Sequence, residues 1–202
     1  MATTSVSAEG WPLMLRTGML FGELNDDQFF ELCQAHRNLR LERTSDREVI
    51  VMPPTGGDTA SYELRVAVAI ANWAEADGTG LVFGPSAGFT LPNRAVRSPD
   101  VAWVLRTRWD ALSPEQRAKF PPLCPDFVVE VRSRTDSFRG LQEKMEEYLE
   151  NGARLGWLID PLEKKVYVYE PGRQAVCLDD PESLPGDPVL PGFKLDVRRL
   201  WP

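Results

Sequence analysis

An α/β domain built round a mixed β-sheet is the class this sequence predicts, and three observations carry the prediction. A strongly β-type run, rich in Val and Phe, occupies 126–131. Two segments, 61–76 and 141–151, place apolar residues at helical spacing. Shorter strand candidates fall around these helices, and such interspersion fits α/β, or α+β with a mixed sheet. The 202 residues suit one domain, and 43% hydrophobic with 26% charged residues lets a chain of this size bury a sizeable core.

Residues 1–24 read as a lead-in to a domain over 25–202, with Trp11, Met14, Leu20 and Phe21 available to pack down. Asn25 or Asp26 caps a helix over 27–36, where Phe29, Phe30, Leu32 and Cys33 supply apolar contacts. Strands at 38–43 and 48–52, split by the polar stretch 44–47, predict a hairpin. Pro53, Pro54, Gly56 and Gly57 then break the chain. In the helix over 61–76, Leu64, Ala67, Val68 and Ala71 recur at helical spacing, and Gly78 and Gly80 stop it. Short strands follow at 81–83 and 88–91. Ser98-Pro99-Asp100 opens a strand over 101–105, and 106–124 is a polar connection with a helical turn at 114–119. After the strand at 126–131 and the helix at 141–151 come strands at 156–159 and 165–169, joined by a tight turn at 160–163. One more strand is expected at 175–178 in a tail rich in Pro, Gly and Asp.

Composition excludes several chemistries. Cys33, Cys124 and Cys177 are scattered and odd in number, without a CxxC or Cys/His cluster, so reduced structural thiols are expected rather than a zinc site. The single histidine, His36, falls at a helix end, which leaves no ready Ser-His-Asp or Cys-His arrangement. No apolar run nears the ~20 residues that span a bilayer, and the N-terminus lacks the pattern of a signal peptide; a cytoplasmic protein without a membrane partner is expected.

Three positions carry candidate chemistry. Asp100 stands at the mouth of a strand. Glu130 lies inside a β-branched strand, where a carboxylate is costly to bury unless it is paired or binds a metal. A salt bridge to Arg132 or Arg134 is the plain structural alternative. Lys144 falls beside Leu141 and Tyr148 on a helical wheel, flanking the apolar stripe, whereas Glu143, Glu146, Glu147 and Glu150 fall opposite, towards water. Its alternative is a lysine that snorkels over apolar surface. Two hard carboxylates on neighbouring strands suit Mg2+ or Mn2+, and an ammonium beside them can orient a nucleophilic water and stabilise charge on a phosphate. Glu63, near Ile70 and Ala74 on its helix, is a fourth candidate and a ligand for a second metal; the alternative is a first-turn acid facing the helix dipole.

These residues resemble the PD-(D/E)XK nuclease superfamily, and more closely the Uma family of restriction-endonuclease-like proteins. The resemblance covers about 24–195 and rests on segments 39–43, 97–103, 125–131, 141–148 and 156–161. It implies a restriction-endonuclease-like single domain whose central mixed β-sheet is flanked by helices. It also implies that Asp100 is the motif aspartate, Glu130 the acid of the (D/E)XK element, and Lys144 the catalytic lysine. The sequence departs from the plain pattern at Arg132, which stands two residues after Glu130 where lysine is usual; the resemblance moves the lysine to the following helix. Glu63 matches a helical glutamate of many superfamily members. The implied activity is Mg2+- or Mn2+-dependent endonucleolytic hydrolysis of DNA; a catalytically inactive interaction or DNA-binding module with the nuclease fold is the alternative.

The net charge of −7 disfavours a broad phosphate-coating surface. Basic residues nevertheless gather near the candidate site, and Arg97, Arg132 and Arg134 are the expected nucleic-acid contacts. Weak, salt-sensitive DNA binding follows from that balance, and a C2 homodimer would supply two sites for a two-strand cut.

Overall fold

The computed structural model describes residues 13–15 and 23–201. Trp11, Leu20 and Phe21 lie outside the described residues. Strand β1 (Leu13–Leu15) falls inside the segment read as a lead-in, and Met14 is exposed. Helix α1 (Asp26–Ala35) starts at an Asn25 cap, whose side chain accepts the Gln28 N–H while the Gln28 side chain accepts the Asn25 N–H. His36 caps its C-terminus. The expected hairpin forms from β2 (Arg40–Arg43) and β3 (Val49–Met52), and β1 pairs antiparallel with β3.

Helix α2 (Gly57–Asp77) begins four residues before the sequence-based estimate and ends at Gly78, whose φ of 74° suits a glycine cap. Its buried side is not the expected one. Leu64 and Val68 are 64% and 49% exposed, whereas Glu63, Val66, Ile70 and Ala74 are buried. The helix carries two apolar arcs, and the sheet takes the one with Val66, Ile70 and Ala74.

Strands β4 (Gly80–Phe83), β5 (Phe89–Thr90), β6 (Val96–Arg97) and β7 (Val101–Leu105) follow. The 106–124 connection contains two short helices, α3 (Arg106–Asp110) and α4 (Pro114–Ala118). Then come β8 (Phe127–Val131), α5 (Phe138–Glu150), β9 (Leu155–Asp160), β10 (Lys165–Tyr169) and β11 (Val176–Asp179). The tail adds β12 (Ser183–Pro185), β13 (Lys194–Asp196) and a 3-10 turn at Val197–Leu200.

Among the described residues the strands form a central sheet in the order β11-β10-β9-β8-β7-β4, a smaller sheet β1-β3-β2-β6-β5, and the pair β12-β13. The central sheet is mixed: β8 and β9 run parallel, joined by the α5 crossover, and its other pairs are antiparallel. Strand alternation divides β8 between two cores. Phe127, Val129 and Val131 face α2 and the C-terminal tail, whereas Val128 faces α5 with Met145 and Tyr148. Burial on both faces explains why this strand reads as a nearly continuous apolar run. Helix α5 sits close to β9 at Gly156, where a Cβ would stand 2.4 Å from Met145 Cε.

Candidate active site

Three central elements position the candidate residues. Asp100 precedes β7, Glu130 lies on β8, and Lys144 projects from the buried side of α5. Strands β7 and β8 pair antiparallel with Val101 opposite Val129, so the two acids come from neighbouring strands. Asp100 Oδ2 accepts the Val131 main-chain N–H at 2.8 Å, and Oδ1 accepts from Arg40 Nη2 at 2.9 Å. Lys144 Nζ stands 2.8 Å from Glu130 Oε1, which also accepts the Tyr148 hydroxyl at 3.1 Å. Lys144 is 8% exposed, so it does not snorkel to water, and the partner of Glu130 is Lys144 rather than Arg132 or Arg134. Glu130 Oε2 carries no hydrogen bond among the described residues.

Glu63, Asp100, Glu130 and Arg40 line one narrow cleft of about 40 Å3. It shares Arg40, Thr55 and Glu63 with a concavity of about 620 Å3, and Pro53, Ser133 and Thr135 with another of about 460 Å3. Charge in the cleft is unbalanced towards acid. Burial, then the Asp100 and Glu42 charges, push the Glu130 carboxyl up to about 8 despite Lys144. Burial and Asp100 push Glu63 up to about 7, with Arg40 and the Thr55 hydroxyl opposing. Burial acts to lower the Lys144 pKa, but Glu130 and Glu42 outweigh it and hold the ammonium charged.

Two side chains that contact the candidate residues escaped the sequence reading. Arg40 and Glu42 alternate on β2 with Leu41 and Arg43, which pack towards α1. Arg40 reaches Asp100, and Glu42 accepts from Lys144 at 2.8 Å. Burial would raise Glu42, yet Lys144 and Arg97 hold it down to about 2. An alternating charged pair within a short strand was the available signal, but its partners lie on the other sheet and on α5.

The expected nucleic-acid contacts separate. Arg97 is turned inward, with Nε 2.5 Å from Glu147 Oε2 and Nη1 3.2 Å from Glu42 Oε2. Glu147 is therefore half-buried and paired, not opposite the core in water. Arg132 pairs with Asp160 at 2.7 Å and lies over the Phe138 ring. Arg134 is exposed, makes no ion pair among the described residues, and lines the 460 Å3 concavity. Buried Asp126 serves the fold: it accepts the Leu105 N–H and pairs with Arg108.

The donor set suits a hard divalent cation: oxygen ligands only, an Oε2 without a hydrogen bond, and excess negative charge in one cleft. Among the described residues no three His, Cys, Asp or Glu side chains converge in metal-holding geometry. Each strand acid holds a cation of the chain itself, Arg40 on Asp100 and Lys144 on Glu130. No helix of the described residues is long and apolar enough to cross a membrane.

A mixed sheet with a parallel crossover, two acids lining one cleft and a buried amine paired to the second of them define a restriction-endonuclease-like α/β domain. A crystal structure from Anabaena variabilis, described as a "putative nuclease belonging to DUF820", shares this fold with a TM-score of 0.68. The match covers 80% of this chain and 89% of that one at 21% identity. Among curated proteins none matches this chain. The Uma2 family profile, described as "Putative restriction endonuclease", matches residues 26–198, and the chain belongs to that family.

Proposed function

We propose that this chain is a divalent-metal-dependent endonuclease that hydrolyses DNA phosphodiester bonds. Asp100 and Glu130 are the ligands of Mg2+ or Mn2+, and Glu63 is a further acid available to a second ion. The observation that carries this reading is the buried Lys144 ammonium 2.8 Å from Glu130, on the strand whose main chain binds Asp100. Membership of a family described as "Putative restriction endonuclease" supports it.

When bound, a divalent ion supplies an acidified water and polarises the phosphoryl oxygen. Lys144 holds the attacking water by hydrogen bonding and favours the negative charge that builds on the phosphate. Arg40 holds the Asp100 carboxylate from one side and the Val131 main chain holds it from the other. Arg134 offers the exposed charge for a flanking phosphate. With few such contacts and a net charge of −7, DNA binding is weak and salt-sensitive. A C2 homodimer would supply the second site for a two-strand cut.

Arg132 favours a second reading, a catalytically inactive module with the nuclease fold, because its guanidinium is tied to Asp160 and Phe138. Plasmid nicking with Mg2+ or Mn2+ separates the two. Wild type should nick, and Asp100→Ala and Lys144→Ala should not. Equal activity in all three would place the chemistry elsewhere.

A further inference from the structure

We propose that Glu42 is a positioning residue for the Lys144 ammonium, holding the amine between two acids so that it does not rest on Glu130 alone. This inference rests on the nuclease reading of the same site and adds the device that makes a helix-borne lysine usable there.

Glu42 is buried and its carboxylate is itself fixed. Oε1 accepts from Lys144 Nζ at 2.8 Å and from the Ser98 main-chain N–H at 2.9 Å. Oε2 pairs with Arg97, which is held in turn by Glu147, and Asn93 donates to the other Glu147 oxygen at 2.9 Å. Lys144 and Glu147 lie three residues apart on α5, on neighbouring positions of one helix face. The row Lys144, Glu42, Arg97, Glu147 therefore alternates in charge and clamps the smaller sheet to α5.

The need for such a clamp follows from where the lysine sits. A lysine two residues after Glu130 would share its strand face, and the strand itself would fix its origin. Position 132 holds Arg, which is engaged with Asp160. The amine arrives from a helix on a flexible four-carbon stem, which a single hydrogen bond does not fix. Glu130 is its other carboxylate partner, and Glu130 is also the proposed ligand. An ammonium held by Glu130 alone would compete for that ligand. Glu42 draws the amine towards a separate concavity of about 520 Å3 lined by Glu42, Arg97, Lys144 and Glu147, while Glu130 lines the narrow cleft with Asp100 and Glu63.

The test compares wild type, Glu42→Gln and Glu147→Gln in three measurements: metal-dependent nicking rate, Mn2+ affinity by calorimetry, and Lys144 acylation by acetic anhydride read by mass spectrometry. In E42Q the nicking rate should fall by about 10- to 100-fold. Mn2+ affinity should fall, because the ammonium then rests on Glu130 and competes for that ligand, and Lys144 should acylate faster. E147Q breaks the outer half of the clamp and should keep the wild-type rate and a protected Lys144; an equal loss there would make Glu42 a structural brace only and overturn the proposal. If E42Q melts below the assay temperature, Glu42→Asp, which keeps the charge and shortens the reach, carries the same expectation. Wild-type nicking with unchanged E42Q nicking overturns this assignment alone. Wild-type protein that binds Mn2+ but never nicks overturns the nuclease reading and the catalytic use of the tether with it; unchanged Lys144 acylation in E42Q overturns the tether itself.

Discussion

Across the β7–β8 pair the Asp100 carboxylate accepts the main-chain N–H of Val131 at 2.8 Å, so the backbone of one strand aims the acid of its neighbour. Asp100→Ala would strip the acceptor from that N–H and from Arg40. A buried donor left unpaired costs about 1–3 kcal/mol, and the urea midpoint should fall accordingly. Asp100→Asn keeps an acceptor for Val131 and should retain most stability while losing metal-dependent nicking. Undiminished nicking by either variant would remove Asp100 from the site.

Lys144 stands 2.8 Å from two buried carboxyl groups at once and balances the charge of Glu42. Lys144→Met should therefore destabilise the fold by about 3–5 kcal/mol, the range for breaking a buried ion pair from one side. Adding Glu42→Gln to Lys144→Met should recover part of the loss, because the orphaned charge is removed with its partner. Thermal melts of the two singles and the double check this; strict additivity would mean that the two groups do not interact.

The shifted acids give the metal-free protein a pH dependence of known sign. Glu130 sits near 8 and Glu63 near 7, both above the ordinary 4.5, so the folded state binds more protons than the unfolded chain between about 4.5 and 8. Stability should fall as pH rises through that window, by up to about 1.4 kcal/mol per pH unit for the fully buried Glu130. Glu42, held near 2, acts oppositely: its contribution is present above 4.5 and lost as pH falls towards 2. Mn2+ affinity should climb across the upper window, with protons released on binding. Urea unfolding with EDTA from pH 3 to 9, and calorimetry in two buffers, test both halves; flat profiles between 5 and 8 would contradict the shifts.

Arg134 is the exposed member of the three arginines expected at the phosphates. Arg134→Gln should weaken DNA binding evenly across sequences and reduce the slope of log affinity against log salt by about 1. Arg97→Gln and Arg132→Gln should act mainly on stability. Filter binding over a salt series reads the slope, and no binding by wild type even at low salt would end the DNA assignment.

The central half of the molecule was legible because its signals are local. The run at 126–131 shows its strand in its own residue types, and the wheel over α5 turns Lys144 inward without knowledge of any neighbour. Helix α2 was legible as a helix but not in its orientation. Leu64, Val68 and Ala71 form one apolar arc and Val66, Ile70 and Ala74 another, and only packing against the sheet selects between them. The roles of Arg40 and Glu42 were not legible, since both depend on the docking of a second sheet whose β6 strand is two residues long. Strands β12 and β13 escaped notice because three residues with polar flanks carry no period.

The close seat of α5 on Gly156 has a consequence for tuning. The acid rides on a strand and the amine on the crossover that follows it, so their separation is a property of how that helix rests on its bed. A bulkier side chain at 156 meets first the flexible Cε end of Met145, the neighbour of Lys144 in sequence. The way Met145 repacks over position 156 therefore bears, from beneath the helix, on where Lys144 stands relative to Glu130.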